Sequence, residues 1–254
     1  MIDVLAKAVR SGGAVARDYF LKEAGLEVVS RGELDVSRRA DLAVEDAVLE
    51  VLKAELSGAT LLSEERGWVK WGDGELTLVL DPLDGSGNFA LGIPYFAVMI
   101  AAGFRAESIS QLTHAAIYFP VTDTLYTADP ERGVLRNGST LRLRASEDVV
   151  FVELGKSFSL EAVDAPRRLG YKVKSSGCAG CSILTTALGI SKGFIDIRGR
   201  LGVWDVAAPL VFGKYNPRFS YWIDVDRIST KRVRIVAGLG DFVKKVLPLL
   251  NLDI

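Results

Sequence analysis

Apolar residues recur at helical spacing over residues 2–24, with Leu5, Val9, Gly12, Val15, Ala16, Tyr19 and Phe20 on one face and Gly25 as the stop. A polar stretch, 30–35, reads as a hairpin or loop. A second helix is predicted over 41–56, with Val44, Ala47, Val48, Val51, Leu52 and Leu56 inward. Thr60-Leu61-Leu62 reads as a short strand, and 68–74 as an exposed loop. The apolar run 76–80 predicts a buried strand. Short β segments follow over 96–104, 112–119, 124–127 and 141–144. Turn signals separate them, the strongest being Asn137-Gly138.

After about residue 148 the pattern changes to alternating strands and helices. Strands are predicted over 149–154, 171–175 and 194–197, with helices ending near Gly170, spanning 180–192 and opening at Trp204. Pro209 fits that last helix only within about its first turn. Two late strands and a helix over 241–250 close the chain. The first half reads as helices on an antiparallel sheet, the second as α/β with a partly parallel, mixed sheet. The domains are placed at 1–148 and 149–254.

The chain of 254 residues has room for one large domain or two modest ones. Hydrophobic content of 49% and charged content of 25% fit a soluble enzyme, and a net charge of −1 argues against general nucleic-acid binding. No apolar run has the length of a membrane span, and Asp3, Lys7 and Arg10 interrupt the N-terminal apolar residues; a cytoplasmic location is expected. With His114 the only histidine, the chemistry must rest on carboxylates. Cys178 and Cys181 form a Cys-x-x-Cys pair with no second pair to complete a zinc site. They read either as a redox motif or, more simply, as two small buried residues.

The chemistry centres on Asp81-Pro82-Leu83-Asp84-Gly85-Ser86. A buried strand delivers two acids to its C-terminal end, and Pro82 stiffens the turn between them. Gly85, Ser86 and Gly87 offer backbone N–H groups that can approach a phosphate. Glu64 and Glu65 end another strand, where only one of two neighbours can face a given point. Asp205 lies near a helix start, and Asp41 in the first turn of the second helix, where it reads equally as a dipole-compatible helix start. If these acids converge they repel unless cations lie between them, and oxygen donors select Mg²⁺ or Mn²⁺.

Ser63-Glu64-Glu65, Asp81-Pro82-Leu83-Asp84-Gly85-Ser86 and Trp204-Asp205-Val206-Ala207-Ala208 together resemble, in order and spacing, the three signature motifs of the inositol monophosphatase / fructose-1,6-bisphosphatase superfamily. The resemblance runs over nearly the whole chain and is closest to the archaeal dual-activity type. It implies a layered αβαβα sandwich of the sugar-phosphatase type. It also implies one Mg²⁺ on Glu64, Asp81 and the Leu83 carbonyl, a second on Asp81, Asp84 and Asp205, and a weaker third near Glu64 and the loop 32–35. Glu64, rather than Glu65, would be the ligand. Ser86, oriented by Asp41 with Glu64 alongside, would draw the proton from the attacking water. Asp84, Gly85 and Ser86 would contact the phosphate. A homodimer is expected on the same ground, and a sugar or inositol phosphate as substrate.

Two departures stand out: Gly87 follows the motif serine where a larger residue is usual, and Phe212-Gly213-Lys214-Tyr215 replaces the family's Glu-Ala-Gly-Gly stretch. Arg198, seven residues before Asp205, stands where animal inositol monophosphatases carry a hydroxyl-binding Glu. An arginine there favours a more anionic substrate. Lys174 is a second candidate for that charge, and Ala179 is expected to line the sugar pocket; Lys174 and Arg198 also read as solvated strand-end charges. A nucleotidase acting on 3′-phosphoadenosine 5′-phosphate and a regulatory binding protein are the competing readings.

Overall fold

The computed structural model describes residues 1–31, 36–141, 148–155 and 158–252. Two long helices, α1 (Ile2–Leu21) and α2 (Arg39–Glu55), pack together on one face of an eight-stranded sheet. Their contact side follows the expected apolar stripes: Leu5, Val9 and Ala16 on α1, and Val44, Val48 and Leu52 on α2, are all inaccessible to solvent. A short antiparallel pair, β1 (Val28–Arg31) and β2 (Val36–Arg38), joins them. Positions 32–35 of the expected hairpin, which include the loop assigned to a third ion, lie outside the described residues, as do 142–144 of the expected strand over 141–144.

The large sheet comprises β3 (Ala59–Ser63), β4 (Gly67–Trp71), β5 (Leu76–Asp84), β6 (Ala97–Phe104), β7 (His114–Phe119), β8 (Thr124–Asp129), β9 (Gly133–Arg136) and β10 (Ser139–Thr140). Its order is β10-β9-β8-β7-β6-β5-β3-β4. Every pairing is antiparallel except β3 with β5. The stretch expected to be a loop over 68–74 is in fact largely β4, an edge strand. Trp68 and Lys70 point outward and Val69 and Trp71 inward, an alternation too short to outweigh the glycines around it. Asn137 and Gly138, both at positive φ, turn β9 into β10 as the hairpin cue predicts.

A second, five-stranded sheet contains β11 (Val149–Val152), β12 (Lys172–Lys174), β13 (Gly193–Leu201), β14 (Phe219–Ile223) and β15 (Val233–Leu239), in the order β12-β11-β13-β15-β14. β12, β11 and β13 run parallel, and β15 is antiparallel to both its neighbours, so the sheet is mixed. Between the sheets lie α5 (Ala179–Ala187) and α6 (Val203–Gly213), whose side chains join Met99 and Ile117 of one sheet and Phe194 and Ile235 of the other in a shared core. Outside the second sheet pack α4 (Leu160–Arg168) and α7 (Phe242–Val246). The five layers are therefore αβαβα.

Pro209 is the seventh residue of α6, well beyond the first turn that the sequence reading required. It cannot donate to the carbonyl four residues back, that of Asp205. α6 tolerates it because the helix is buried on nearly every side and held by packing rather than by propensity.

Candidate active site

The central motif lies on β5 itself, which runs on to Asp84. In a regular strand, residues three apart face opposite ways. Here Asp81 pairs with Met99 but Asp84 with Ala97, so β5 carries one residue more than β6 across the interval. That bulge, at Pro82-Leu83, turns both acids to the same side. Pro82 suits the interruption because it has no N–H to offer the ladder. Leu83 N–H donates to Asp81 Oδ1 at 3.0 Å and fixes that carboxylate.

Gly85 follows at φ +87° and caps α3 (Ser86–Ala90). A Cβ there would be strained and would lie 3.0 Å from both Cys178 Sγ and the Tyr95 carbonyl, so only glycine fits comfortably. Asn88 on α3 donates to the carbonyls of Tyr95 and Ser176, both at 2.9 Å, and ties the motif to the loop before α5.

Asp205 sits in the first turn of α6 and accepts from Gly202 N–H at 2.6 Å. The close approach of α5 and α6 brings it to the motif: a Cβ on Gly180 would lie 2.9 Å from the Asp205 carbonyl. One oxygen from each of Asp81, Asp84 and Asp205 falls within 4.8 Å of the others. Three carboxylates this close repel strongly in a buried setting, and their hard oxygens suit Mg²⁺ or Mn²⁺. The donor set therefore fits the metal the sequence implies.

These acids open on a cavity of about 170 Å³ whose wall also includes Glu64, Leu83, Gly85, Ser86, Ala179 and Arg198. Glu64 is on that wall and Glu65 is not. Two other expected residues lie off it. Asp41 is buried away from the cavity wall, and its Oδ2 accepts from Arg38 N–H at 2.6 Å as a helix cap. Lys174 is exposed at the end of β12. Arg198 is held by Asp196, with Nε 3.0 Å from Oδ1 and Nη2 2.5 Å from Oδ2. Asp196 is buried, and only 14% of the Arg198 side chain is exposed, so the pair is built in rather than a solvated surface charge.

Sequence reasoning missed Glu153, which follows β11 directly and lines the same cavity. Burial, then the Asp84 charge, push its carboxyl up to about 7, opposed by Arg198. Ser176 Oγ donates to it at 3.3 Å. The signal was available: it too is an acid at the end of an apolar strand. The two cysteines are free and buried. Cys178 Sγ stands 2.9 Å from Asp84 Oδ2, and Cys181 N–H donates to the same oxygen at 2.8 Å. Burial raises the Asp84 carboxyl, and pushes the Cys181 thiol up to about 12.

The profile of the inositol monophosphatase family matches residues 1–212, and the chain belongs to that family. It is therefore a family phosphatase of the phosphoric monoester hydrolase type, with acids suited to the metal such enzymes use. It is 30% identical over 250 residues to an inositol-1-monophosphatase of Mesorhizobium japonicum, covering 94% of this chain and 91% of the relative. It is 29% identical over 227 residues to a fructose-1,6-bisphosphatase of Pyrococcus furiosus, covering 85% and 84%. A Nus factor SuhB of Xylella fastidiosa is 28% identical over 220 residues, covering 83% and 77%. The fold matches the solved inositol monophosphatase of Anabaena (Nostoc), with a TM-score of 0.76, 22% identity and coverage of 99% and 96%. No helix among the described residues is long and apolar enough to cross a membrane.

Proposed function

We propose that the protein is a Mg²⁺-dependent phosphomonoesterase acting on fructose 1,6-bisphosphate, inositol 1-phosphate or both, by direct attack of water on phosphorus. The observation supporting it is the approach of Asp81, Asp84 and Asp205 at a cavity that also holds Glu64 and the Gly85-Ser86 turn. Glu64, Asp81 and the Leu83 carbonyl would hold one ion, and Asp81, Asp84 and Asp205 another. Bound Mg²⁺ would supply acidification of a water and neutralisation of charge on the phosphoryl and leaving oxygens. Gly85 and Ser86 N–H groups orient the phosphate. The water's proton is drawn off through the Ser86 hydroxyl, which passes its own proton on to a neighbouring carboxylate, with Glu64 alongside and Asp41 orienting the serine.

Ala179 and Arg198 form the sugar side of the cavity, and Arg198 favours a substrate with a second phosphate. Lys174 can join only by reaching in from the rim. The relatives from Mesorhizobium japonicum and Pyrococcus furiosus support inositol 1-phosphate and fructose 1,6-bisphosphate as the first substrates to try. A cytoplasmic homodimer that binds no nucleic acid completes the reading. The SuhB relative supports a second one, a regulatory role beside the chemistry.

A phosphate-release panel decides: fructose 1,6-bisphosphate, inositol 1-phosphate and 3′-phosphoadenosine 5′-phosphate, each with Mg²⁺ and with or without Li⁺. Release from either of the first two, abolished by chelator, is expected. Release from the third alone, or from none, defeats the proposal.

A further inference from the structure

The catalytic acids do not exhaust the ligand atoms around Asp84. One oxygen of Asp84 groups with Asp81 and Asp205, and Asp84 also belongs to a second donor set: Cys178 Sγ, Cys181 Sγ and an Asp84 oxygen, all within 4.8 Å of one another. All three residues are buried, with Asp84 4% exposed, Cys178 1% and Cys181 0%. The two sets differ in chemistry. The first is oxygen only and suits a hard ion; the second is two sulfurs and one oxygen and suits a thiophilic one.

We infer that Asp84, Cys178 and Cys181 form a second metal site, for a thiophilic d¹⁰ cation such as Cd²⁺ or Zn²⁺, that shares Asp84 with the phosphatase centre. Two ligand atoms on one tetrahedral zinc stand roughly 3.5–4 Å apart, so these atoms need only a small adjustment. Access is short: Gly177 and Ala179, on either side of Cys178, and Asp84 itself all line the open cavity. When the ion binds, each thiol gives up one proton to solvent and two metal–sulfur bonds form. No electron is transferred. The Cys178 S–H···Asp84 hydrogen bond is replaced by a metal–carboxylate bond. Asp84 is then pinned from the sulfur side, and the hard-ion site loses part of its ligand set. Thiophilic cations should therefore inhibit phosphate release.

Cys178 and Cys181 are the only cysteines in the chain, so any thiolate-to-metal charge-transfer band must arise from this pair. Purified protein held with excess Mg²⁺ is titrated with Cd²⁺ alone, and ultraviolet absorption is followed without substrate. A band saturating at one Cd²⁺ per chain is expected, reversed by chelator and absent in Cys181→Ser. No band in the wild-type protein, or a band retained in the Cys178→Ser/Cys181→Ser double variant, overturns the site. The wild-type titration decides even where a variant does not fold. The readout needs no turnover, so it stands apart from the phosphatase reading. Where turnover is measurable, Cys181→Ser should tolerate at least about tenfold more Cd²⁺ at half inhibition. Equal sensitivity would overturn the link to Asp84.

Discussion

Arg198 and Asp196, two residues apart on β13, are joined through both carboxylate oxygens, and Asp196 takes the Arg198 backbone N–H as well, at 2.9 Å. The guanidinium is thus aimed before any substrate arrives, at the cost of half-cancelling its charge. Arg198→Met should lower the ratio of bisphosphate to inositol phosphate turnover by about tenfold, the worth of one charge-assisted hydrogen bond. It should also lower stability by about 3 kcal/mol, because the buried Asp196 carboxylate loses its partner. Adding Asp196→Asn should return part of that stability while the substrate ratio stays low. An unchanged ratio removes Arg198 from specificity.

The acids around the cavity make a stability prediction that needs no substrate. Without cations, Asp81, Asp84 and Asp205 repel. Mg²⁺ should raise the melting temperature, by linkage to the folded state. Asp205→Asn keeps the side-chain oxygen that caps α6 but removes one charge. Its metal-free melting temperature should equal or exceed that of the wild type, and the rise with Mg²⁺ should shrink. Thermal melts with and without chelator test this; an undiminished Mg²⁺ effect excludes Asp205 as a ligand.

Gly180 sets the distance between α5 and α6. An added Cβ would meet Met99 Cε at 2.2 Å and the Asp205 carbonyl at 2.9 Å. Methionine can move aside, but the carbonyl belongs to the helix that carries Asp205. Gly180→Ala should destabilise by about 1–3 kcal/mol. The Mg²⁺ concentration for half-maximal stabilisation should rise, because Asp205 is pushed away. A denaturant series across Mg²⁺ concentrations separates the two effects.

Glu45 offers a test by pH. It is fully buried between α2 and β3, with Arg66 Nε 3.5 Å away, and burial pushes its carboxyl up to about 7 despite Ser63 and Arg66. In the unfolded chain it titrates near the ordinary 4.5. The native state therefore keeps the proton longer, and the stability this group contributes is lost as pH rises from about 4.5 through about 7. Glu45→Gln mimics the protonated form. Relative to wild type it should gain stability above about pH 7 and show little gain near pH 5. A gain independent of pH would show that the charge is not the cause.

The periodic stretches were legible because burial dictated them: α1, α2, β5 and the strand–helix alternation of the second half all follow their apolar spacing. The acids that line the cavity, Glu64, Asp81, Asp84 and Asp205, stood out in the sequence because each lies at one end of such an element. β4 was not, since an edge strand half open to solvent needs little apolar pattern. Pro209 misled because local propensity yields to packing in a helix enclosed between two sheets. Asp41 and Lys174 show what position along the chain does not fix: neither is on the cavity wall, although each lies at the end of an element. Glu153 shows the converse: it too lies at the end of an apolar strand, but only the second sheet set beside the motif shows that it faces the cavity.

The extra residue at Pro82-Leu83 gives the motif a parity. Straighten the strand there, so that every residue of β5 pairs with one of β6, and Asp81 and Asp84, three apart, part to opposite sides of the sheet. Delete one residue as well, and the two acids, now two apart on a regular strand, return to one side. Spacing and bulge can therefore change only together.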